Sequence, residues 1–400
     1  MLGGVPSAAM AGVPPQSARA ARRAQRRRAR RRPFLVLGAA LALIAAGTAA
    51  WAVTRSDDSA GVGTGRVAPT TVSTAPTTTT TLRDPIRGNG EQVTFAFGGD
   101  VHFEGALRGK LLADPSGVLA PVAPVLSAAD VAVVNVETAV TEGGQAVQPK
   151  KYNFRTPAVA LDALRAAGVD AVTVANNHGL DFGLEGLADT IAAGRERQFP
   201  VLGIGNNAAE AFTPYRVDVR GQRISVFGVT DVIDSPYETT WAANDTGPGL
   251  ASSKFEGLDR LVATITQWRP ESDTIVVFLH WGVERMGCPS DRQREVAQAL
   301  TDAGADIVIG SHAHWLQGGG MFNSGFVDYG LGNFVFYNEQ GEYGRSGVLQ
   351  VTATGRHIDS YQWVPARIQG GVATPVPAGP EADAEVAHWN ELRACTGLAP

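Results

Sequence analysis

From residue 93 onward the chain alternates short apolar runs with helix-like stretches. Val93-Thr94-Phe95-Ala96-Phe97 is the first run, and others stand at Val169–Val174, Ile224–Val229, Thr274–Leu279 and Ala305–Ile309. Short, nearly unbroken apolar runs bounded by Gly, Asp or Ser predict buried strands. Between them the pattern predicts helices over Ala158–Ala167, Leu184–Arg197, Phe255–Trp268 and Ser290–Ala303. Thr156-Pro157 reads as an N-cap with proline at the first helical position, and Gly168 as the stop. Strands alternating with helices predict an α/β domain whose active residues sit on loops after strand ends.

One pattern echoes three times. Ala128-Ala129-Asp130 leads through Val131–Val134 to Asn135 and Glu137. Ala167-Gly168-Val169-Asp170 leads to Asn176, Asn177 and His178, and Ala303-Gly304-Ala305-Asp306 leads to His312 and His314. Each is an Asp, an apolar strand, then metal-competent side chains. The expectation is that three strands deliver ligands at the same edge of one sheet. His312 and His314, at i and i+2 after Gly310, would share a face if their backbone is extended.

Composition is ordinary for a globular chain of 400 residues, with 44% hydrophobic residues, but charge is segregated. Nine arginines (Arg19, Arg22, Arg23, Arg26, Arg27, Arg28, Arg30, Arg31, Arg32) lie within residues 1–32, which hold no acid. Without those nine, 25 basic residues face 39 acidic ones, a balance of about −14 that disfavours nucleic acid as a partner. Residues 34–53 carry no charge and are long enough to cross a hydrocarbon core as a helix. The arginines then fall on the cytoplasmic side and the rest outside. A cleaved signal peptide is the competing reading.

The resulting division is a basic cytoplasmic tail (1–33), a transmembrane anchor (34–53), a Thr/Pro-rich linker (54–91), the folded domain (92–370) and a C-terminal tail (371–400). Cys288 and Cys395, the two cysteines, either pair or remain free in an oxidising compartment.

Five blocks carry the candidate chemistry: Gly99-Asp100-Val101-His102, Asn135-Val136-Glu137, Asn176-Asn177-His178, His280-Trp281-Gly282-Val283-Glu284 and Gly310-Ser311-His312-Ala313-His314. They hold five of the seven histidines; His357 and His388 stand apart. Imidazole nitrogen mixed with Asp, Glu and Asn oxygen suits Mn, Fe or Zn and suits Ca or Mg poorly. The lack of cysteine in the blocks argues against a structural zinc site.

The ordered set GGDVHF, NVET, VANNHGLDFG, HWGVE, GSHAHWLQG and GLGNFVF resembles the bacterial CapA family, named for poly-γ-glutamate capsule synthesis, over residues 92–370. Its domain looks like a calcineurin-like metallophosphatase. The resemblance implies a four-layer α/β/β/α sandwich with a dinuclear site at its top edge. It implies that Asp100, His102, Glu137, Asn177, His280, His312 and His314 bind two divalent ions, with Glu137 bridging. His178 would protonate the leaving group after attack by a metal-activated water, and Asp181 would orient it.

Trp281, Glu284 and Gln317 would lie behind the ligands or face substrate, and Asn333 would brace a turn. Lys150, Lys151 and Arg155 either dock an acidic substrate or form a solvated loop. The chain departs from the metallophosphatase pattern at three places: Glu137 stands for Asp, and Asn176 and Ser311 each stand for Gly.

The expectation is a single-pass membrane protein with an extracytoplasmic domain. It would act in synthesis, export or processing of an acidic envelope polymer by metal-dependent hydrolysis or transfer. Its partners would be the membrane, an acidic polymer or phosphoester, and a membrane-bound polymer synthase complex. Two alternatives stay open: a non-catalytic polymer-binding or export subunit, and an exported phosphodiesterase unrelated to capsule.

Overall fold

A computed structural model describes residues 83–400. The basic tail, the apolar run 34–53 and most of the linker lie outside the described residues. Among those described, no helix is long and apolar enough to cross a membrane.

The strands are β1 (Val93–Val101), β2 (Val131–Val136), β3 (Ala139–Val140), β4 (Arg155–Thr156), β5 (Ala171–Thr173), β6 (Val201–Leu202), β7 (Ile204–Gly205), β8 (Tyr215–Val219), β9 (Gln222–Thr230), β10 (Gly249–Leu250), β11 (Thr274–His280), β12 (Ile307–Ser311), β13 (Gly319–Phe322), β14 (Gly325–Asp328), β15 (Asn333–Val335), β16 (Arg345–Thr354), β17 (His357–Gln369) and β18 (Val372–Pro375). The helices are α1 (Ala106–Ala113), α2 (Ala123–Leu126), α3 (Val159–Ala166), α4 (Gly183–Arg197), α5 (Ala208–Ala211), α6 (Gly257–Trp268), α7 (Asp291–Ala303) and α8 (Pro380–Leu392).

An eight-stranded sheet runs in the order β15-β18-β17-β16-β1-β2-β5-β6, and a six-stranded one in the order β13-β14-β12-β11-β9-β8. The two pack face to face. Strand periodicity sorts the side chains between layers. Val93, Phe95 and Phe97 of β1 meet Val276 and Phe278 of β11 and Ile307 and Ile309 of β12 between the sheets. Phe97 and Phe278 touch edge to face at 6.4 Å across that interface. Ala96, Ala132 and Val134 point the other way, onto Leu107 and Leu111 of α1 and Leu161 and Leu164 of α3. Ile275, Val277 and Val308 point to Leu261 and Ile265 of α6 and Val296 and Leu300 of α7. The result is helices, sheet, sheet, helices. Because both faces of each central strand are covered, β2 and β11 are buried throughout, which is why they read as unbroken apolar runs.

Helix α7 starts with a capping box between Ser290 and Gln293 and ends at Gly304 in the left-handed region. The N-cap read at Thr156 is corrected. Thr156 belongs to β4, and α3 starts after Ala158 with no side-chain cap. The parallel β3–β4 pairing takes Thr156 before the helix can.

The single-sheet expectation is also corrected. β2 and β5 are in the larger sheet and β12 in the smaller. The three echoing aspartates do share a local role. The Oδ2 atoms of Asp130, Asp170 and Asp306 accept the backbone N–H of Thr94, Ala132 and Ile275, one on each neighbouring strand.

The chain enters at one end of the sandwich. Arg83 pairs with Asp273, Asn89 donates to the Arg220 carbonyl at 2.8 Å, and the Gln222 side chain donates to the carbonyls of Arg87 and Glu91. The last thirty residues, set apart as a tail in the sequence, supply β18 to the larger sheet and then α8. Glu385 on α8 is buried against Arg345 and Arg367, and Trp389 stacks on Trp363 at 5.5 Å. A disulfide joins Cys288 to Cys395.

Candidate metal centre

The polar residues of the five blocks converge where the two sheets meet, at the C-terminal ends of β1, β2, β5, β11 and β12. Gly99 permits the first approach. A Cβ there would lie 1.9 Å from the Gly332 carbonyl oxygen, so a side chain would push β1 off that strand end. The pairing of β1 with β2 slips register at the same point, delivering Asp100 inward. Gly310 does the same for β12, where a Cβ would meet the Tyr329 carbonyl at 2.1 Å and the Trp281 indole at 2.3 Å.

Two groups of side chains place a ligand atom from each member within 4.8 Å of the others: Glu137, His280 and His312, and Asp100, Glu137 and His314. Glu137 belongs to both. Its Oε1 lies 3.5 Å from His280 Nε2, 3.8 Å from His314 Nε2 and 3.9 Å from His178 Nε2. Glu137 is fully buried, and neither of its carboxylate oxygens has a hydrogen-bond partner. A buried carboxylate without donors is costly. Burial, with Asp100 nearby, raises its pKa well above the ordinary range. A cation is what this carboxylate lacks, and a mixed nitrogen and oxygen donor set fits a divalent metal.

The extended backbone expected at His312 and His314 is not found. β12 stops at Ser311, and both histidines have positive φ, 91° and 58°. That left-handed turn is strained for side-chain-bearing residues, and it sends the imidazoles to different groups with ring centroids 6.0 Å apart. Asp100 steadies the turn by accepting the His312 backbone N–H at 3.2 Å.

Electrostatics separate the rings. Burial, then the neighbouring rings, holds His280 well below its usual range, and burial takes His312 to about 3, so both are neutral. Burial opposes charge on His314 too, yet Glu137 and Asp100 lift it to about 9.

His102 falls in neither group, and Asn177 stands beside the first. His102 Nδ1 accepts the Glu104 backbone N–H at 3.1 Å, and its Nε2 is buried without a partner. Its ring is walled by Phe154, Phe336 and Tyr337 at 4.9, 4.0 and 4.7 Å. Asn177 Oδ1 lies 2.8 Å from His280 Nε2. His178 stacks on Phe154 at 4.3 Å, and its Nδ1 lies 2.6 Å from Asp181 Oδ2. Burial lowers the His178 pKa while Asp181 pulls it upward.

The remaining candidates are spread around this centre. Trp281 is buried, donates to the Tyr329 carbonyl at 2.9 Å and packs in the core. Gln317, also buried, donates to the carbonyls of Met286 and Cys288 and thereby holds the loop after β11. Both support the centre from behind. Glu284 is exposed on that loop, and its charge reaches Glu137 and His314. Lys151 is exposed beside the Tyr152 ring, 4.8 Å from its centroid. Arg155 lies over Phe182 at 4.7 Å and donates to the Glu142 carbonyl at 3.4 Å.

Three further residues of the five blocks build the frame and are not in the candidate ligand set. Asn135 donates to Asp100 Oδ1 at 2.8 Å and accepts from Asn176 at 3.0 Å. Asn176 also donates to the Val136 carbonyl and accepts the His178 backbone N–H. Ser311 Oγ lies 3.1 Å from His280 Nδ1. The signal for Asn135 was a polar residue inside the apolar run of β2.

Residues 94–338 match the family model described as bacterial capsule synthesis protein PGA_cap. The chain is 30% identical over 258 residues to the PGA biosynthesis protein CapA of Bacillus subtilis, covering 64% of this chain and 66% of that one. It is 32% identical over 217 residues to the capsule biosynthesis protein CapA of Bacillus anthracis, covering 54% and 52%. The match thus spans between half and two thirds of these relatives. A solved structure of a hypothetical protein from Thermus thermophilus aligns over 68% of this chain and 99% of its own, at 19% identity and a TM-score of 0.44, too loose a likeness to carry an argument.

Proposed function

The chain belongs to the bacterial capsule synthesis protein family PGA_cap, and from that premise we propose that it acts in the synthesis, export or processing of an acidic envelope polymer of the poly-γ-glutamate kind, as a metal-dependent hydrolase or transferase. The observation that carries this reading is Glu137: a fully buried carboxylate with two unpartnered oxygens, shared by two ligand groups. In this reading Glu137, His280 and His312 would hold one divalent ion of Mn, Fe or Zn, and Glu137, Asp100 and His314 a second. Asn177 would join the His280 side, and His102 would complete the set from its margin. Such ions supply an activated water and balance negative charge at the reacting group.

The chain's own residues do the rest. His178 donates Nδ1–H to Asp181, so the opposite nitrogen faces the centre, takes up a proton there and delivers it to the leaving group. Phe154 stacks on that ring and keeps water from its face. Asn135 and Asn176 hold Asp100 and the His178 backbone in one rigid frame.

The proposal includes an anchor over residues 34–53 and an extracytoplasmic domain. Nine arginines before an uncharged run support the first, and the Cys288–Cys395 bridge suits the oxidising compartment of the second.

The test is metal analysis and turnover of the purified chain loaded with Mn, Fe or Zn, using bis(p-nitrophenyl) phosphate and poly-γ-glutamate as probes. Wild type should hold about two ions. Glu137→Gln should lose them, and His178→Ala should keep them while losing turnover. No bound metal and no activity after loading refutes the metal centre. Bound metal and bound polymer without turnover of either probe would establish a binding subunit instead.

A further inference from the structure

Lys150 is a basic residue on the loop between β3 and β4, in a stretch whose charges could serve to hold an acidic substrate. Its surroundings exclude that use. The side chain is 5% exposed, and three oxygens surround its ammonium. Asp181 Oδ1 lies at 2.6 Å and Asp234 Oδ2 at 2.9 Å, and the third is the Asn177 carbonyl oxygen. The ammonium donates to the carbonyl and pairs by charge with the two carboxylates, and its burial closes it to a ligand. The Trp241 ring closes the remaining side, 5.2 Å from the nitrogen, and Trp241 stacks on Tyr237 at 4.4 Å.

These contacts join three loops. Asp181 and Asn177 come from the loop after β5, and Asp234, Tyr237 and Trp241 from the loop after β9. Lys150 brings its own loop, whose Phe154 covers His178. Asp181 is fully buried, and its other oxygen accepts both His178 Nδ1–H and the Phe154 backbone N–H, each at 2.6 Å. A carboxylate so placed needs a counter-charge to remain an acceptor, and Lys150 is the one lysine or arginine within ion-pair distance of it among the described residues.

We infer that Lys150 is a positioning residue: it holds Asp181 as the acceptor for His178 Nδ1–H and pins the Asn177 backbone, and so sets the direction in which His178 presents its proton. This rests on the reading of His178 as proton donor. Lys150 touches neither substrate nor the reacting atoms; it acts through Asp181.

The test uses the full chain as wild type, Lys150→Met, Asp181→Asn and the double variant. Lys150→Met should lower kcat about 100-fold with KM and bound metal near wild type. The double variant leaves no buried charge unpaired and should fold even if Lys150→Met does not. Its kcat should match Asp181→Asn alone within about twofold, as expected for two residues acting through one contact. A further tenfold loss in the double variant, or a rise in KM for an anionic probe at unchanged kcat, overturns the inference.

A second readout needs no turnover. Ring-nitrogen NMR of chain carrying isotope-labelled histidine should show His178 with its proton fixed on Nδ1 in wild type and released from it in Lys150→Met, Asp181→Asn and the double variant. An unchanged His178 signal in the variants lacking Lys150 sinks the inference. If wild type turns over no probe, the proposed hydrolase fails, and the ring spectrum still decides the role of Lys150.

Discussion

Asn333 Oδ1 lies 3.0 Å from Nδ1 of His314. The amide is held in that sense because its nitrogen donates to the Tyr343 carbonyl at 3.2 Å. His314 therefore donates Nδ1–H toward Asn333 and Asp100 and turns Nε2 toward Glu137. A residue that braces a turn in the sequence reading thus also aims a candidate ligand. Asn333→Ala should weaken divalent metal binding by about 10- to 100-fold while leaving His280 and His312 in place. Chelator competition measures it, and superimposable curves for variant and wild type would show that the turn alone orients the ring.

The disulfide closes a segment of 107 residues and pins the loop after β11 to the C-terminal arm. That loop leans on the ligand turn, since the Arg285 N–H donates to the Ala313 carbonyl between the two histidines at 2.8 Å. Replacing both cysteines by serine should cost about 2–5 kcal/mol of stability and weaken metal retention as well. Denaturation and metal titration of the same sample separate the two effects. A loss of stability with unchanged metal affinity would mean that Gln317, through its bonds to Met286 and Cys288, secures the loop unaided.

Asp328 is buried at the end of β14, beside Trp389, and burial raises its pKa to about 8. The unfolded chain has it near 3.8. Below that value both states hold the proton and the group is neutral to stability. Between about 4 and 8 the unfolded state releases the proton and the folded state keeps it, so stability falls as pH rises, by at most about 1.4 kcal/mol per pH unit. Asp328→Asn should therefore gain melting temperature over wild type progressively from pH 5 to pH 8. The measurement belongs in chelator, so that metal binding does not mask it. Parallel curves across that range would mean that the carboxyl ionises freely in the fold.

How far the fold was legible depended on burial. β1, β2, β5, β9, β11 and β12 stood out because two covered faces leave no reason for polar residues within them. The same property hid their division between sheets, as a strand buried on both sides does not reveal which sheet owns it. The echo around Asp130, Asp170 and Asp306 misled for a physical reason: each Asp accepts the amide of a neighbouring strand's second residue, a need common to both sheets.

The candidate ligands were legible as polar residues at apolar strand ends. The turn at His312 and His314 was not, because spacing carries no information about φ. Lys150 illustrates the other limit, since a charge in a loop looks alike whether it meets solvent or two aspartates. Asn176 and Ser311, which differ from the glycines of the resembled pattern, supply contacts to His178 and His280 that a glycine lacks.

Arg83 and Asn89 fasten the incoming chain beside Asp273 and Arg220, at the starts of β9 and β11. His280 closes the opposite end of β11, seven residues on from Asp273 and so roughly 23 Å away at the usual rise of a strand. The described chain thus begins at the floor of the sandwich, while the candidate centre lies at its roof. Immobilising the protein by its N-terminal side leaves that roof clear.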